Sequence, residues 1–280
     1  MLSFEIDALI QTALKEDIPY ADLSSSIFAP EHHSKAYLLA KQDGVFCGAQ
    51  CFTRTFELLD QSTVFNLRKK DGDRFQSGDV LLELETHTAP LLQGERTALN
   101  FLQHLSGIAT TTARMVELLR GTRCAVTDTR KTLPGLRSLQ KYAVACGGGK
   151  NHRFGLSDAV MLKDNHIDAC GSIAEAIAAV RRNIGHMVKI EVETRTLDEV
   201  EQALDACADV IMFDNMSITQ MERGVALARN HKNGIRVVME ASGDVTDANI
   251  RAIAETGVDV ISLGMLTHSV RTCNISMRIG

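Results

Sequence analysis

Residues 127–167, TDTRKTLPGLRSLQKYAVACGGGKNHRFGLSDAVMLKDNHI, run from the end of one apolar segment to the end of the next and concentrate positive charge. The basic residues of this stretch are Arg130, Lys131, Arg137, Lys141, Lys150, His152, Arg153, Lys163 and His166. The whole 280-residue chain nevertheless has a formal net charge of −5. Because crowded cations repel one another and lose hydration, such a cluster is stable mainly when bound anions neutralise it. Arg suits paired hydrogen bonds to carboxylate or phosphate and Lys acts as a movable charge, so the stretch predicts a site for a polyanion.

A solvated basic helix face is the alternative interpretation of these cations. For Arg137 and Lys141, four residues apart in a segment with helical periodicity, we predict such a solvated face. The same interpretation fits poorly for Arg130, Lys131 and Lys163, which stand at the ends of apolar runs.

The second half of the chain alternates apolar β-like runs with amphipathic helical segments. The runs are CAVTD from Cys124, DAVML from Asp158, MVKIEVE from Met187, DVIMF from Asp209, IRVVME from Ile235 and DVISL from Asp259. Runs that are hydrophobic almost throughout are typical of strands buried on both faces, in a parallel sheet covered by helices. Six strands are fewer than the eight of a closed barrel, so we predict an α/β fold with an incomplete six-stranded β/α barrel. A doubly wound sheet is the alternative.

Polar residues and glycines stand at the C-terminal ends of these runs. They are Arg130 and Lys131, Lys163, Glu193, Asp214, Ser242 and Gly243, and Gly264. In parallel β/α barrels the carboxyl ends of the strands share one mouth, which holds the active site, and the last loops often bind phosphate through backbone N–H groups.

The acidic residues of the runs divide into two groups. Glu193 and Asp214 lie just past apolar strands, so each should face a cation or a metal ion such as Mg²⁺. Glu191, Glu240 and Asp128 lie further back, where we predict buried salt bridges or hydrogen bonds. His152 is open to both a structural and a phosphate-binding interpretation.

The first part of the chain has a different pattern of apolar residues. Helical spacing predicts a helix over residues 4–14, and short β-like runs between residues 35 and 85 predict an antiparallel sheet. A long helix should cover residues 93–119, with an interruption at Gly107. We therefore predict an N-terminal α/β domain over residues 1–108, a catalytic barrel over 109–268 and a C-terminal strand over 269–280 that returns to the first domain.

Composition narrows the function classes. No segment approaches the ~20 apolar residues of a membrane span, and the N-terminus lacks an export signal. An acidic chain with 5% aromatic residues is not typical of nucleic-acid binding. The seven scattered cysteines indicate reduced thiols in the cytoplasm. Cys47 and Cys51 are the one close pair, and without a matching Cys or His pair they are weak evidence for zinc.

A series of motifs extends along nearly the whole chain: EDIPYADLSS near the start, GERTALNFLQHLSGIAT from Gly94, TRKTLPGLR from Thr129, GGGKNHR from Gly147, LKDNHI from Leu162, IEVET from Ile190, MFDN from Met212, EASG from Glu240 and ISLGMLTHS from Ile261. In order and spacing, these motifs together resemble the quinolinate phosphoribosyltransferase family. The resemblance implies transfer of phosphoribosyl from phosphoribosyl pyrophosphate to quinolinate with decarboxylation, giving nicotinate mononucleotide in NAD biosynthesis. It also implies Mg²⁺, no organic cofactor and a homodimer.

Site roles follow from the same resemblance. Arg130, Lys131, Arg153 and Lys163 match residues that hold the quinolinate carboxylates, with His152 beside them and Thr129 opening the motif. Glu193 and Asp214 match those that serve the ribose hydroxyls and Mg²⁺, and Ser242, Gly243 and Gly264 match the 5′-phosphate loops. Lys131, Lys163, Glu193 and Asp214 are the expected catalytic residues. Arg96 matches an arginine that enters the neighbouring subunit's site.

One position departs from the family pattern, and other functions remain as alternatives. The family usually has a second glycine after Ser-Gly, where this chain has Asp244, whose carboxylate would repel phosphate unless it points away. A Schiff-base aldolase using Lys163 and a non-catalytic phosphate-binding barrel are the alternatives of other classes. A nicotinate-using enzyme is the alternative within the class.

Overall fold

The computed structural model describes residues 3–280; Met1 and Leu2, part of the predicted N-terminal domain, lie outside the described residues. The chain divides into two units. The first comprises residues up to Ala113 together with Thr132–Gly148 and Leu266–Gly280, and the second comprises Arg114–Lys131 and Gly149–Met265. In this division residues 109–113 and 132–148 group with the first unit, and the predicted domain boundary at residue 108 stays a prediction.

The first unit combines helices with a small antiparallel sheet. Its elements are α1 (Ser3–Asp17), a 3-10 turn (Ser24–Ile27), β1 (His33–Ala40), β2 (Gly44–Val45), α2 (Ala49–Leu59), β3 (Val64–Leu67), β4 (Arg74–Phe75), β5 (Val80–His87), most of α3 (Thr88–Leu118), α4 (Arg137–Cys146), most of α10 (Met265–His268) and β12 (Ile275–Ile279). The main sheet has the order β12-β1-β5-β3, and all its pairs are antiparallel. The predicted antiparallel sheet is confirmed.

Strand β1 explains where the core of this unit lies. Ala36, Leu38 and Ala40 are buried at alternate positions, so one face of the strand points inward. Phe52 and Phe56 of α2 pack in the same hydrophobic cluster. The period-2 pattern of β1 therefore meets the helical pattern of α2 in one core.

Helix α3 is continuous through Gly107, so the predicted interruption is wrong. A Cβ atom at Gly107 would lie 2.2 Å from the carbonyl oxygen of Arg271. The glycine is needed because the backbone of the C-terminal segment passes against the helix, and it does not break the helix.

Helix α4 corrects a second prediction. Lys141 is only 1% exposed, so it does not lie on a solvated basic face, whereas Arg137 is half-buried and its Nε donates to Thr132 Oγ1 at 3.0 Å. The neighbouring Leu139, Ala143 and Val144 are buried, and their burial carries Lys141 inward. Charge spacing revealed that two cations share a helix face but not which way that face points.

The second unit is a parallel β/α arrangement. Its elements are β6 (Ala125–Thr127), β7 (Val160–Leu162), α5 (Asp164–Cys170), α6 (Ile173–Arg181), β8 (Ile190–Thr194), α7 (Leu197–Asp205), β9 (Val210–Asp214), α8 (Ile218–Asn230), a 3-10 turn (Gly234–Arg236), β10 (Val238–Ser242), α9 (Ile250–Glu255) and β11 (Val260–Ser262).

The six strands form one sheet with the order β6-β11-β10-β9-β8-β7, and every pair is parallel. From β7 to β11 each strand lies beside its predecessor in the chain, so the order never reverses as it does in a doubly wound sheet. β6 and β7 are the two edges, which leaves the barrel incomplete as predicted.

Helix caps fix the starts of the covering helices. Ser172, Thr196 and Ser217 each accept a hydrogen bond from the backbone N–H three residues on, at the N-termini of α6, α7 and α8. No helix in the described part of the chain combines the length and apolar character needed to cross a membrane.

Candidate active site

A cavity of about 360 Å³ opens at the carboxyl ends of the six parallel strands. Its walls contain Thr129, Arg130, Lys131, His152, Arg153, Met161, Lys163, Asp164, Glu193, Arg195, Met212, Asp214, Glu240, Ser242 and Ser262. The cations after β6 and β7 and the carboxylates at the ends of β8 and β9 therefore share one space, as the strand-end pattern predicts.

The guanidinium group of Arg153 lines the cavity and is suited to binding an anion. Its Nη1 donates to the carbonyl of Ala159 at 2.8 Å, while its Nε is buried and finds no hydrogen-bond partner among the described residues. Burial, and next the positive charge of Arg130, lower the pKa of the Arg153 guanidinium below its ordinary value. Since a buried guanidinium N–H without an acceptor is costly, this edge of the cavity favours a bound carboxylate or phosphate.

The carboxylates of the cavity are paired with cations that remain accessible. Lys163 Nζ lies 2.5 Å from Glu193 Oε1, and the Lys163 side chain is 46% exposed. Arg195 Nε lies 3.5 Å from Asp214 Oδ2, and its Nη2 lies 2.8 Å from Asp164 Oδ2. Such exposed pairs are weak, so a ligand carrying its own charges is able to rearrange them.

A buried polar cluster lies at one side of the cavity around His152. Asp128, fully buried, accepts from Asn151 Nδ2 at 2.6 Å and from the His152 backbone N–H at 2.9 Å. The Arg153 backbone N–H donates to His152 Nδ1 at 2.7 Å, so Nε2 carries the ring proton. This Nε2 lies 3.1 Å from Glu191 Oε2.

Glu240 completes the cluster, with its Oε1 3.6 Å from His152 Nε2. Burial, and then the negative charge of Glu191, raise the pKa of Glu240 to about 7. Glu191 is 5% and Glu240 4% exposed, and His152 Nε2 lies near a carboxylate oxygen of each, so the prediction of buried salt bridges or hydrogen bonds for these residues is confirmed. The carboxylates beside His152 support the structural interpretation, and because the residue also lines the cavity its role in phosphate binding stays a prediction.

The two predicted phosphate loops lie after β10 and β11. Ser242 lines the cavity, and its backbone carbonyl accepts a hydrogen bond from the Asn215 backbone N–H at 3.0 Å, whereas Gly243 and Gly264 are not among the lining residues. Gly243 has φ 133°, and a Cβ atom there would lie 2.3 Å from Asn215 Oδ1. Asp244 is exposed and does not line the cavity, and its carbonyl accepts from Asn249 Nδ2 at 2.9 Å.

Arg96 lies in the first unit and is not among the residues that line this cavity. It is exposed on α3 and lines a different cavity of about 360 Å³, together with Glu16, Asp17 and His104. Its predicted role in a neighbouring subunit's site remains a prediction.

Some lining residues were missed in the sequence. Arg195 comes directly after β8, so the strand-end pattern that identified Glu193 also pointed to it, although helix α7 begins two residues later and suggests a plain loop. Met161, Met212 and Ser262 lie within strands, where alternation alone does not tell which side chains reach the mouth.

Models of two protein domains match the chain. Residues 22–106 match the model described as quinolinate phosphoribosyl transferase, N-terminal domain, and residues 108–278 match the corresponding C-terminal domain.

Relatives in sequence and structure agree. The chain is 46% identical over 279 residues to a probable nicotinate-nucleotide pyrophosphorylase (carboxylating) of Bacillus subtilis, covering 100% of this chain and 95% of the relative. It is 39% identical to a nicotinate-nucleotide pyrophosphorylase (carboxylating) of Mycobacterium leprae, with 96% and 95% covered. The crystal structure of NadC from Streptococcus pyogenes superposes with a TM-score of 0.94 at 44% identity, covering 99% of this chain and 97% of that one.

Proposed function

This chain belongs to the quinolinate phosphoribosyl transferase family, and from that premise we propose that its cavity binds quinolinate and phosphoribosyl pyrophosphate together. The products are nicotinate mononucleotide, pyrophosphate and carbon dioxide, a step of NAD biosynthesis. The observation that carries the proposal is the meeting of Arg130, Lys131, Arg153 and Lys163 with Glu193 and Asp214 around one cavity.

The cationic wall suits a pyridine diacid. The buried Nε of Arg153 calls for an acceptor, and Arg130 brings a second positive charge to the same region. Two neighbouring carboxylates on one ring supply both acceptors and charge. Binding a dianion here also relieves the repulsion between the two guanidinium groups.

The acidic wall suits the sugar and its diphosphate. Glu193 is the second-last residue of β8 and Asp214 is the last residue of the adjacent β9, and both line the cavity, so both are available to ribose hydroxyls. Carboxylate oxygens together with phosphate oxygens form a donor set that fits Mg²⁺, which we propose is held by Glu193 and Asp214. Bound there, Mg²⁺ would neutralise charge on the leaving pyrophosphate.

The reaction forms and breaks bonds in two stages. First, the ring nitrogen of quinolinate bonds to the anomeric carbon while the bond from that carbon to the pyrophosphate oxygen breaks. The carboxylates of Glu193 and Asp214 stabilise the positive charge that develops on the sugar, and Lys131 and Lys163 stabilise the departing phosphates.

In the second stage the bond from the ring to the carboxylate beside the nitrogen breaks. Carbon dioxide leaves, and the electron pair stays on the ring carbon next to the positive nitrogen until a proton is taken up. Because the ring nitrogen stabilises that pair, no organic cofactor is required.

The Schiff-base alternative is disfavoured by the surroundings of Lys163. Its Nζ lies 2.5 Å from Glu193 Oε1, and a Schiff base on this nitrogen would have to give up that contact. Borohydride trapping of a carbonyl substrate on Lys163 would restore this alternative.

An assay with two pyridine substrates tests the proposal. Purified protein with phosphoribosyl pyrophosphate and Mg²⁺ should release pyrophosphate and carbon dioxide in equal amounts with quinolinate. Nicotinate should give neither at a comparable rate. Pyrophosphate release with nicotinate would favour the nicotinate-using alternative, and binding without any pyrophosphate release would favour a non-catalytic barrel.

We propose further that the enzyme is a homodimer, or a higher assembly built from it, in which Arg96 enters the partner's site. The exposure of Arg96 supports this. The variants Arg96→Ala and Lys131→Ala should each be inactive alone, whereas mixing them should restore part of the activity, because some sites in mixed dimers have neither change. Recovery is expected to be absent when both changes are in the same chain. No recovery after proven subunit exchange would contradict the shared site.

A cytoplasmic location is part of the proposal. All seven cysteines are free thiols, which is typical of proteins kept in a reducing compartment.

A further inference from the structure

Two thiols and a carboxylate from distant parts of the sequence meet in the first unit. Cys47 directly precedes the N-cap of α2, Asp71 lies in the turn between β3 and β4, and Cys146 is the last residue of α4. One candidate ligand atom of each lies within 4.8 Å of those of the other two. None of these residues belongs to the strand-end cavity of the second unit.

The backbone around this cluster is fixed by hydrogen bonds. The Cys47 N–H donates to Ser106 Oγ at 3.0 Å, and Ser106 Oγ donates to the Cys47 carbonyl at 3.1 Å. The Gly72 N–H donates to the Phe46 carbonyl at 2.9 Å, which joins the Asp71 turn to the segment before Cys47. The backbone that carries Cys47 and the backbone of the Asp71 turn are therefore held together before any ligand arrives.

The Asp71 carboxylate is oriented from two sides. Oδ1 accepts from the backbone N–H groups of Gly48 and Ala49, each at 3.0 Å. Oδ2 accepts from the Tyr142 hydroxyl at 2.8 Å and retains a lone pair. A hydroxyl that orients a carboxylate beside two thiols matches the outer hydrogen bonds that usually support metal ligands.

From this arrangement we propose that Cys47 Sγ, Cys146 Sγ and Asp71 Oδ2 form a binding site for a thiophilic divalent cation, best satisfied by Zn²⁺. Two thiolates and one carboxylate favour Zn²⁺ over Mg²⁺, because thiolates are soft ligands. With zinc–sulfur bonds of ~2.3 Å, ligand atoms around a tetrahedral ion lie about 3.5–4 Å apart, so a small inward shift closes the site. Cys47 is fully buried while Asp71 and Cys146 are half-buried, so the ion enters from one side and keeps a water as fourth ligand.

Cys51, the sequence neighbour of Cys47, is not a member of the cluster. The site was missed in the sequence because its second thiol lies in a different part of the chain.

Cobalt substitution tests the site in the intact, reduced and chelator-treated protein. Co²⁺ should bind with one equivalent and give both a thiolate-to-cobalt charge-transfer band and the visible bands of tetrahedral coordination. Zn²⁺ should displace it and should raise the unfolding temperature. Cys146→Ser should lose the thiolate band and the zinc-dependent stabilisation while keeping the unfolding temperature of the metal-free protein.

Two further variants separate this site from adventitious thiol binding. Tyr142→Phe keeps all three ligands and should weaken Co²⁺ about 10- to 100-fold by releasing the Asp71 carboxylate. Cys170→Ser removes an exposed thiol of the second unit and should change nothing. The proposal is overturned if reduced protein gives no charge-transfer band, if the band persists in Cys146→Ser, or if Cys170→Ser removes it.

Discussion

The two units use their polar side chains in different ways. In the second unit, Glu193 and Asp214 face Lys163 and Arg195, whose side chains are 46% and 55% exposed. In the first unit, Lys141 is a basic residue with almost no exposure. The cations of these cavity pairs remain within reach of solvent, so the pairs are exchangeable, whereas the buried Lys141 is part of the scaffold.

Asp60 shows the scaffold type in the first unit. Burial raises the pKa of its carboxyl group, but hydrogen bonds from Ser62, Thr86 and His87 outweigh that effect and leave the pKa below its ordinary value. Thr86 Oγ1 and His87 Nδ1 both lie 2.7 Å from Asp60 Oδ2. Because hydrogen bonds within the unit engage its oxygens, this carboxylate stabilises the fold and does not mark a ligand site.

The largest effect should come from removing a cation of the cavity. Lys163→Ala is expected to lower kcat/KM about 100- to 1,000-fold, because a preorganised charge next to the reacting groups is lost. The free energy of unfolding should change by less than about 1 kcal/mol, since the pair with Glu193 is partly exposed. Steady-state kinetics and urea unfolding measure the two effects.

Lys232→Ala is the matched control for that variant, because Lys232 is 77% exposed and contacts Asp205 only at 3.9 Å. It should leave both activity and stability unchanged. Strong destabilisation by Lys163→Ala without a specific loss of activity would remove the distinction between the two units.

For the buried lysine of α4, in contrast to Lys163, we expect the main effect on the stability of the fold. Lys141→Ala should lower the free energy of unfolding by about 2–3 kcal/mol, as for other long buried side chains whose removal leaves a cavity. Lys141→Met keeps the unbranched stem and should recover part of that loss, which separates packing from charge. Urea unfolding provides the comparison, and a large stability loss in Arg137→Ala would contradict the burial argument.

The strand ends of the barrel could be predicted from the sequence because two independent regularities coincide there. Apolar runs identify parallel strands, and the residues at or just beyond the carboxyl end of each run face the common mouth, which located Arg130, Lys163, Glu193 and Asp214. Helical segments lack such a fixed reference. For Lys141 the direction of the helix face depended on tertiary packing, which spacing does not encode.

Gly107 shows the same dependence on tertiary packing. Its low helix propensity led to the prediction of an interrupted helix, whereas its role is to let the backbone of Arg271 pass close to α3. Such a contact joins segments far apart in the chain, so it carries no local signal. The proximity of Cys47 and Cys146 could not be predicted from the sequence for the same reason.

The smallest expected effect is a pH dependence of the free energy of unfolding that arises from His104 in the first unit. Gln140 Nε2 donates to His104 Nε2 at 2.9 Å, so the ring must be unprotonated at that nitrogen, and burial lowers the pKa of His104. The unfolded chain, with a His pKa of ~6.5, then binds a proton that the folded chain resists. The contribution of His104 is fully present above that value and is lost as the pH falls through the folded pKa.

His104→Gln tests this contribution, because a glutamine oxygen accepts the same hydrogen bond without titrating. Between pH 8 and pH 5 the free energy of unfolding of the variant should fall less steeply than that of the wild type. His186→Gln, at an exposed position of the second unit, should keep the wild-type slope. Equal slopes in all three proteins would mean that protonation of His104 does not affect folding, and the buried hydrogen bond to Gln140 would then have to tolerate an imidazolium.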